Sequence, residues 1–309
     1  MIGLRDTLDS LHDTEVIVAK LNNLSQDLAQ DKILQINLEA LVKRRHDLER
    51  RLGAQLRSDQ LDLIEYRIEA ASGDSCAAIA IARALQHFQE VTTCVFDAVR
   101  TAPKRFYQPS RENAELSMMT LAGARVGSVM MSLSIPNERL IAIQSDLDVA
   151  FELVFEVFRA RSQNRLVQVQ ARTGIAALAR AHAWAQNNVE YGLATFISWQ
   201  KSMAVSESVA ISQNDALLLQ KTIENTALER IDDFEEECEL LGLNNASSSF
   251  VLRMATGDEL AGLLGNQFPR GTWTIHARYM AALTRRLRVR CSTGEETALW
   301  TLNGLRSPE

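Results

Sequence analysis

Two aspartates one residue apart form the most suggestive chemical pattern in the chain. Asp146 and Asp148 follow a Gly-Ser pair at residues 127–128. Nucleotidyltransferases place such a pair near the phosphates and hold magnesium with two carboxylates of this spacing. Here the interval is too long, because a predicted strand at residues 129–135 separates the motifs. Ser145 directly precedes the aspartates, so a capped helix start explains them, and we predict that both are structural and bind no metal.

An arginine and a histidine show a second spacing that can carry catalysis. Arg270 and His276 have the R-x₅-H interval of HEPN ribonucleases, in which both side chains lie on one helix. Pro269 and Gly271 disfavour a helix here, so we interpret the spacing as chance. The chain also lacks the glycine-rich nucleotide-binding motifs, the G-x-S-x-G motif of hydrolases and the H-E-x-x-H motif of zinc proteases. We therefore predict no cofactor.

The cysteines and the overall composition are those of an ordinary globular chain. The 309 residues are 46% hydrophobic and 23% charged, with a formal net charge of −6, which excludes a largely disordered protein. No secretory signal and no apolar stretch of membrane-spanning length occur, so we expect a cytosolic protein. The four cysteines are scattered without metal-ligand spacing, and we interpret them as buried hydrophobes: Cys76, Cys94, Cys238 and Cys291.

Charge is concentrated in two opposite blocks near the C-terminus. An acidic block spans residues 232–239, and a strand-like segment alternates arginine with apolar residues. On a strand these arginines would share one face, where they could bind nucleic-acid phosphates, protect a sheet edge or match the acidic block. The predicted nucleic-acid-binding residues are Arg286, Arg288 and Arg290, with Arg278 and Arg285 nearby. Trp273 and Trp300 could provide stacking.

The middle of the chain mixes strand and helix patterns. Residues 62–70 alternate apolar and polar side chains, which predicts a strand, and residues 76–102 predict a buried helix. Apolar runs at 114–122 and 126–135 predict a hairpin. Two helices, at about 147–158 and 165–187, and a strand at 193–199 follow. The order β-α-β-β-α-α-β indicates an α+β domain rather than a doubly wound parallel sheet.

The last part of the chain predicts a small barrel. We expect a helix over residues 213–237. Short strands separated by tight turns then follow, at 239–243, 250–254, 259–263, 272–276, 283–291 and 298–302. This density of short strands is typical of an SH3-like or OB-like barrel.

The first 58 residues carry leucine at helical spacing among charged residues. An early stripe contains Leu4, Leu8 and Leu11, and a later one recurs every three, four or seven residues. Such a seam needs another helix to cover it, which predicts a coiled-coil-like arm, either a hairpin or one long broken helix. The predicted partner-binding residues are Leu34, Leu38, Leu41, Leu48 and Leu52.

These patterns predict an α+β protein in three parts. Residues 1–58 form the helical arm, 59–235 a central α+β domain and 236–309 the small β-barrel. The most direct interpretation is a non-catalytic assembly or regulatory subunit that forms a homo-oligomer or a hetero-complex through the arm, without membrane contact. One alternative is a nucleic-acid-binding or sensing component of a bacterial defence or toxin–antitoxin system. Another is an enzyme with an unrecognised site around the two aspartates.

Overall fold

A computed structural model describes residues 3–27, 32–70, 76–125, 129–137, 144–201, 204–269 and 271–307. The chain is a mixed α+β protein in two compact units, Met1–Ile223 and Glu224–Glu309. Among these residues, the first unit contains seven helices in whole or in part and a five-stranded sheet, and the second contains a closed five-stranded barrel. The Gly-Ser pair at 127–128 and Arg270 lie outside the described residues. The three-part division at residues 58 and 235 stays a prediction.

The N-terminal segment forms an antiparallel helical hairpin. Its helices are α1 (Leu4–Asp27) and α2 (Lys32–Ser58). The Thr7 hydroxyl, near the start of α1, contacts Gln55 Oε1 near the end of α2 at 3.4 Å, which fixes the antiparallel direction. Of the two arm geometries that the sequence allows, the hairpin is the one observed. Coiled-coil packing along it stays a prediction.

The first unit is built on an antiparallel sheet in the order β2-β3-β1-β4-β5. The strands are β1 (Leu61–Ala70), β2 (Thr120–Arg125), β3 (Val129–Pro136), β4 (Leu193–Lys201) and β5 (Ala204–Ile211). The predicted strands at 62–70 and 193–199 are confirmed as β1 and β4. The sequence analysis missed β5, an edge strand that alternates only partly.

Helices cover one face of the sheet. They are α3 (Ala78–Arg100), α5 (Asp146–Arg159) and α6 (Gln163–Glu190), close to the predicted ranges. Tyr66 on β1 packs against Phe88 of α3 and accepts a 2.7 Å hydrogen bond from Trp184 Nε1 of α6. Successive strand residues alternate between faces, so Leu63 points the other way, into a cluster with leucines of the arm. The arm is therefore part of the first unit.

Helix α6 is interrupted at Gly174, whose φ of 85° and ψ of 165° are not helical. The backbone of Lys104 runs beside this kink, and the Ala176 N–H donates to the Lys104 carbonyl at 3.0 Å. A Cβ at residue 174 would lie 2.4 Å from that carbonyl oxygen. Glycine is thus required both by the positive φ and by the close approach of the segment 101–110.

Two predicted segments have a different structure. The run 114–122 begins in a short helix, α4 (Arg111–Leu116), because the Ser110 side chain accepts from Asn113 N and caps it. The helix predicted over 213–237 ends early, as α7 (Gln213–Glu224), and the chain then enters a strand. The spacing of leucine and isoleucine in residues 227–237 is compatible with a helix or a strand. The segment forms a strand because its acidic residues pair with the arginine strand β9.

The second unit is a closed barrel in the order β10-β8-β7-β6-β9. Its strands are β6 (Ala227–Asn244), β7 (Ser249–Met254), β8 (Glu259–Leu264), β9 (Arg278–Arg290) and β10 (Glu296–Arg306). The predicted barrel is thereby confirmed, whereas an SH3-like or OB-like topology stays a prediction. The strand predicted at 272–276 does not form, and His276 has a φ of 65°.

Candidate functional site

The predicted leucine seam of α2 is divided between the base and the tip of the hairpin. At the base, Leu52 and Leu56 are buried against Leu8 and Leu11 of α1 and Leu63 of the sheet. Leu52 therefore belongs to the core of the chain itself. Leu48 packs at the edge of this cluster, whereas Leu34, Leu38 and Leu41 are half-buried towards the tip. Partner binding by the seam stays a prediction, and its accessible members are those near the tip.

The tip carries exposed apolar side chains that the seam analysis missed. Ile33 and Ile36 of α2 are 71% and 64% exposed, the two largest values among the large apolar side chains of the described residues. Ile17 of α1 is also exposed. Both α2 isoleucines lie outside the leucine stripe, so a search for one seam passes over them. A search of α2 for apolar residues next to the leucine seam, and not only within it, would have identified Ile33 and Ile36.

The predicted helix cap at residue 145 is confirmed. Ser145 accepts from Asp148 N at 3.1 Å, and Asp148 in turn accepts from Ser145 N at 3.3 Å, which is a capping box. Asp146 is mostly exposed and lies 3.7 Å from Arg100 Nε. The two aspartates point in different directions, as residues two apart on a helix do. The structure does not bring them together as a carboxylate pair.

Asp148 belongs instead to a buried polar cluster at the end of the sheet. The Asn137 side-chain amide donates to Asp62 at 2.8 Å and to Asp148 at 3.0 Å. Trp199 Nε1 also donates to Asp62, at 2.9 Å, and Lys201 Nζ lies 3.5 Å from Asp148. The charges thus have partners within the protein, and no group of three or more possible metal ligands occurs among the described residues. The cluster thus connects β1, β4 and α5 with Asn137, the residue that follows β3.

Cysteine chemistry has little support. Cys94, Cys238 and Cys291 are buried, as predicted, whereas Cys76 is half-exposed. Burial raises the pKa of the Cys94 thiol to about 12 and that of the Cys238 thiol to about 11. A thiol with such a pKa is protonated at neutral pH and is a weak nucleophile.

The predicted arginine strand lies beside the acidic block. Strand β9 pairs along its full length with residues 227–239 of β6, so Asp232 is opposite Arg285 and Glu239 is opposite Arg278. Arg285 lies 2.9 Å from Asp232, and this hydrogen bond lowers the pKa of the Asp232 carboxyl below its usual range. Arg278 lies 3.4 Å from Glu237. Arg278 and Arg285 therefore form ion pairs with the acidic block, which is one of the three roles that the sequence analysis considered for the arginines.

The other three arginines share one exposed face of β9. Arg286, Arg288 and Arg290 alternate with half-buried Leu287 and Val289. The structure thus brings the three predicted side chains onto one surface, and their role in binding nucleic acid stays a prediction. The aromatic residues proposed for stacking are separated. Trp300 packs with Phe234 and Arg285, and Trp273 packs between Phe268 and Tyr279.

His276 has no catalytic geometry. It lies outside any helix, and its Nδ1 is 2.9 Å from Glu239 Oε1, a hydrogen bond that lowers the pKa of the Glu239 carboxyl. None of the described helices combines the length and hydropathy required to span a bilayer. The chain matches no known family model, no curated protein and no solved structure.

Proposed function

We propose that this chain is a non-catalytic assembly subunit that associates with a second copy through the tip of its helical arm. The exposure of Ile33 and Ile36 is the observation that carries the proposal. Burial of such a side chain contributes about 1.5–3 kcal/mol. Association that covers both isoleucines would therefore gain a free energy that the isolated chain does not have. Clustered exposed apolar residues are typical of interaction surfaces.

The base of the arm is used within the chain itself, which favours the tip for this role. Leu8, Leu11, Leu52 and Leu56 form one buried cluster with Leu63 of the sheet. A partner that packed against those leucines would have to separate them from Leu63 and expose it to water. The free energy lost by exposing Leu63 would offset the free energy gained by binding. The hairpin is thus anchored at its base, and its other end is the part that can contact a partner without unfolding.

The charges of the two helices favour a second copy as the partner. The sequence of α1 has five acidic and two basic residues, whereas that of α2 has seven basic and three acidic residues. In a four-helix bundle of two hairpins, α1 of one copy can pack beside α2 of the other. Each helix then has neighbours of opposite net charge on both sides, while the other pairing would place like charges together.

The molar mass of the full chain in solution tests this proposal. The variant Ile33→Glu with Ile36→Glu should weaken association at least a hundredfold, about 2.7 kcal/mol, because each change occurs on both sides of the interface. Light scattering over a dilution series measures this shift. Ile79→Glu on α3 is the matched control, since Ile79 is 51% exposed on a helix outside the arm. An arm variant with unchanged mass at every concentration contradicts the proposal.

A further inference from the structure

The N-terminal part of β6 has a neighbouring strand on one side only. Strand β9 pairs with β6 from Ala227 onwards, whereas β7 pairs with it only from Cys238 onwards. Beside residues 227–237, no second strand occurs within the part of the chain that the structure describes. The turn that follows Met254 takes the chain away from this position, which lies in line with β7.

The hydrogen bonds between β6 and β9 show which backbone groups point to the unpaired side. Cys291 N donates to the Thr226 carbonyl at 3.1 Å, and Leu240 N donates to the Ala277 carbonyl at 3.0 Å. Both bonds join directly opposite residues, so the even-numbered residues of β6 bond to β9. The odd-numbered residues therefore point their N–H and C=O groups outward. We call four of them the free edge: Glu229, Ile231, Asp233 and Glu235. Their backbone groups have no hydrogen-bond partner among the described residues.

The side chains of the free edge are acidic around one apolar residue. Ile231 is 58% exposed, and the other three members are exposed acids. Asp232 and Glu236 add two acids on the opposite face of the strand, and Arg230 is the one basic residue of 227–237. A strand bound at the free edge would lie about 5 Å from β6 and about 10 Å from the arginines of β9. Water and salt screen the longer distance, so the acids dominate.

We infer that the free edge binds an extended basic segment of a partner protein, which adds a strand to β6 in line with β7. Backbone hydrogen bonds would provide affinity, and the acids would select basic side chains. In an antiparallel pairing, the residues opposite the three acids are basic and the residue opposite Ile231 is apolar. The expected sequence is thus basic-x-basic-x-apolar-x-basic. Its N-terminal end lies beside a cavity of about 300 Å³, lined in part by Glu237, Met254 and Gly257, which leaves room for the preceding residue.

Other occupants match the free edge less well. A second copy could pair β6 with β6 around a two-fold axis at Ile231, Asp232 or Asp233. Each of these registers places acids of the two free edges opposite each other, which is destabilising. The phosphates of a nucleic acid would meet the same repulsion. The exposed ion pair of Glu235 with Arg306 competes with a basic segment, but such pairs contribute little.

A designed peptide and the full chain test this pairing. The peptide is Lys-Thr-Lys-Thr-Val-Thr-Lys with blocked ends and a fluorescein label, and its fluorescence anisotropy should show saturable binding that weakens with salt. Methylation of the amide nitrogens of the second lysine and the valine should weaken binding at least tenfold, because these amides point to β6. Methylation of the first and second threonine amides is the matched control and should leave binding unchanged, since these amides point away.

Hydrogen exchange and charge variants locate the peptide on the protein. The amides of the free edge should exchange more slowly when the peptide is bound, whereas the even-numbered residues, already bonded to β9, should change less. Asp233→Lys with Glu235→Lys should weaken peptide binding at least tenfold. Glu112→Lys with Glu115→Lys is the control of equal charge change, because these two acids are exposed on α4, outside the barrel.

Several outcomes would overturn the inference. They are an absence of binding at about 1 mM peptide, equal effects of the two methylations, and equal effects of the two lysine variants. Protection of the free-edge amides without peptide, lost on dilution, would also overturn it, since that result assigns the edge to a second copy. The arm variant Ile33→Glu with Ile36→Glu should bind the peptide as the original chain does, which keeps this test separate from the arm proposal.

Discussion

Two polar regions of this protein contain similar residues and differ in their contribution to stability. The cluster around Asn137 is buried between β1, β3, β4 and α5, and one amide donates to two carboxylates there. The outer face of the barrel has more charged residues, but water reaches them. A buried polar group that loses its partner keeps the whole desolvation cost, whereas an exposed one exchanges its partner for water. Burial, and not the number of charges, therefore decides which contacts hold the fold.

Removal of the bridging amide should give the largest effect. Asn137→Ala deletes both hydrogen bonds to carboxylates and the acceptor of the Ser145 hydroxyl. We expect a loss of about 3 kcal/mol in the free energy of unfolding, because hydrogen bonds to charged groups contribute about 1.5–3 kcal/mol each and are partly replaced. Urea unfolding followed by circular dichroism at 222 nm measures it, since nearly all helical residues belong to the first unit. A loss below about 1 kcal/mol would contradict the conclusion that the buried cluster around Asn137 contributes more to stability than the exposed charges of the barrel.

The two aspartates at the start of α5 offer a sharper test within one helical turn. Asp148→Ala removes the capping box, the bond from Asn137 and the ion pair with Lys201, and should cost about 2 kcal/mol. Asp146→Ala loses only an exposed pair and a favourable position at the helix N-terminus, which together contribute about 0.5 kcal/mol. The same denaturation experiment compares the variants. Equal losses in the two variants would mean that burial does not determine how much each aspartate contributes to stability.

The barrel face should give the smallest effect. Arg278→Ala removes an ion pair with Glu237 between side chains that are both largely exposed. We expect a change below about 0.5 kcal/mol, because such pairs are screened by water and salt. Unfolding of the barrel can be followed by the fluorescence of Trp273 and Trp300 in a Trp184→Phe, Trp199→Phe background, with the background chain as the reference. A change above about 1 kcal/mol would place this pair among the structural contacts.

Local signals in the sequence predicted the frame of this fold but not its long-range contacts. The capped start of α5 follows from Ser145 and the acidic first turn, and β1 follows from simple alternation, because both are decided within a few residues. The end of α7 was wrong, since residues 227–237 gain their partners from β9, about fifty residues later. Nothing near Asp148 in the sequence indicates Asp62, its neighbour across the amide of Asn137.

The same limit applies to the candidate interaction surfaces, where only features decided by local spacing could be predicted. Alternation along β9 correctly placed Arg286, Arg288 and Arg290 on one face. The leucine seam, in turn, could be identified from its spacing. Its base is used inside the chain because of Leu63, a residue outside the arm.

The interruption of α6 at Gly174 makes one amide proton a reporter on a distant segment. The Ala176 N–H is within α6, yet its acceptor is the carbonyl of Lys104. Its hydrogen exchange therefore measures how often the segment 101–110 separates from the helix, whereas the amides further along α6 exchange only when the helix itself opens. A single labelled site can thus follow the docking of that segment in the intact chain.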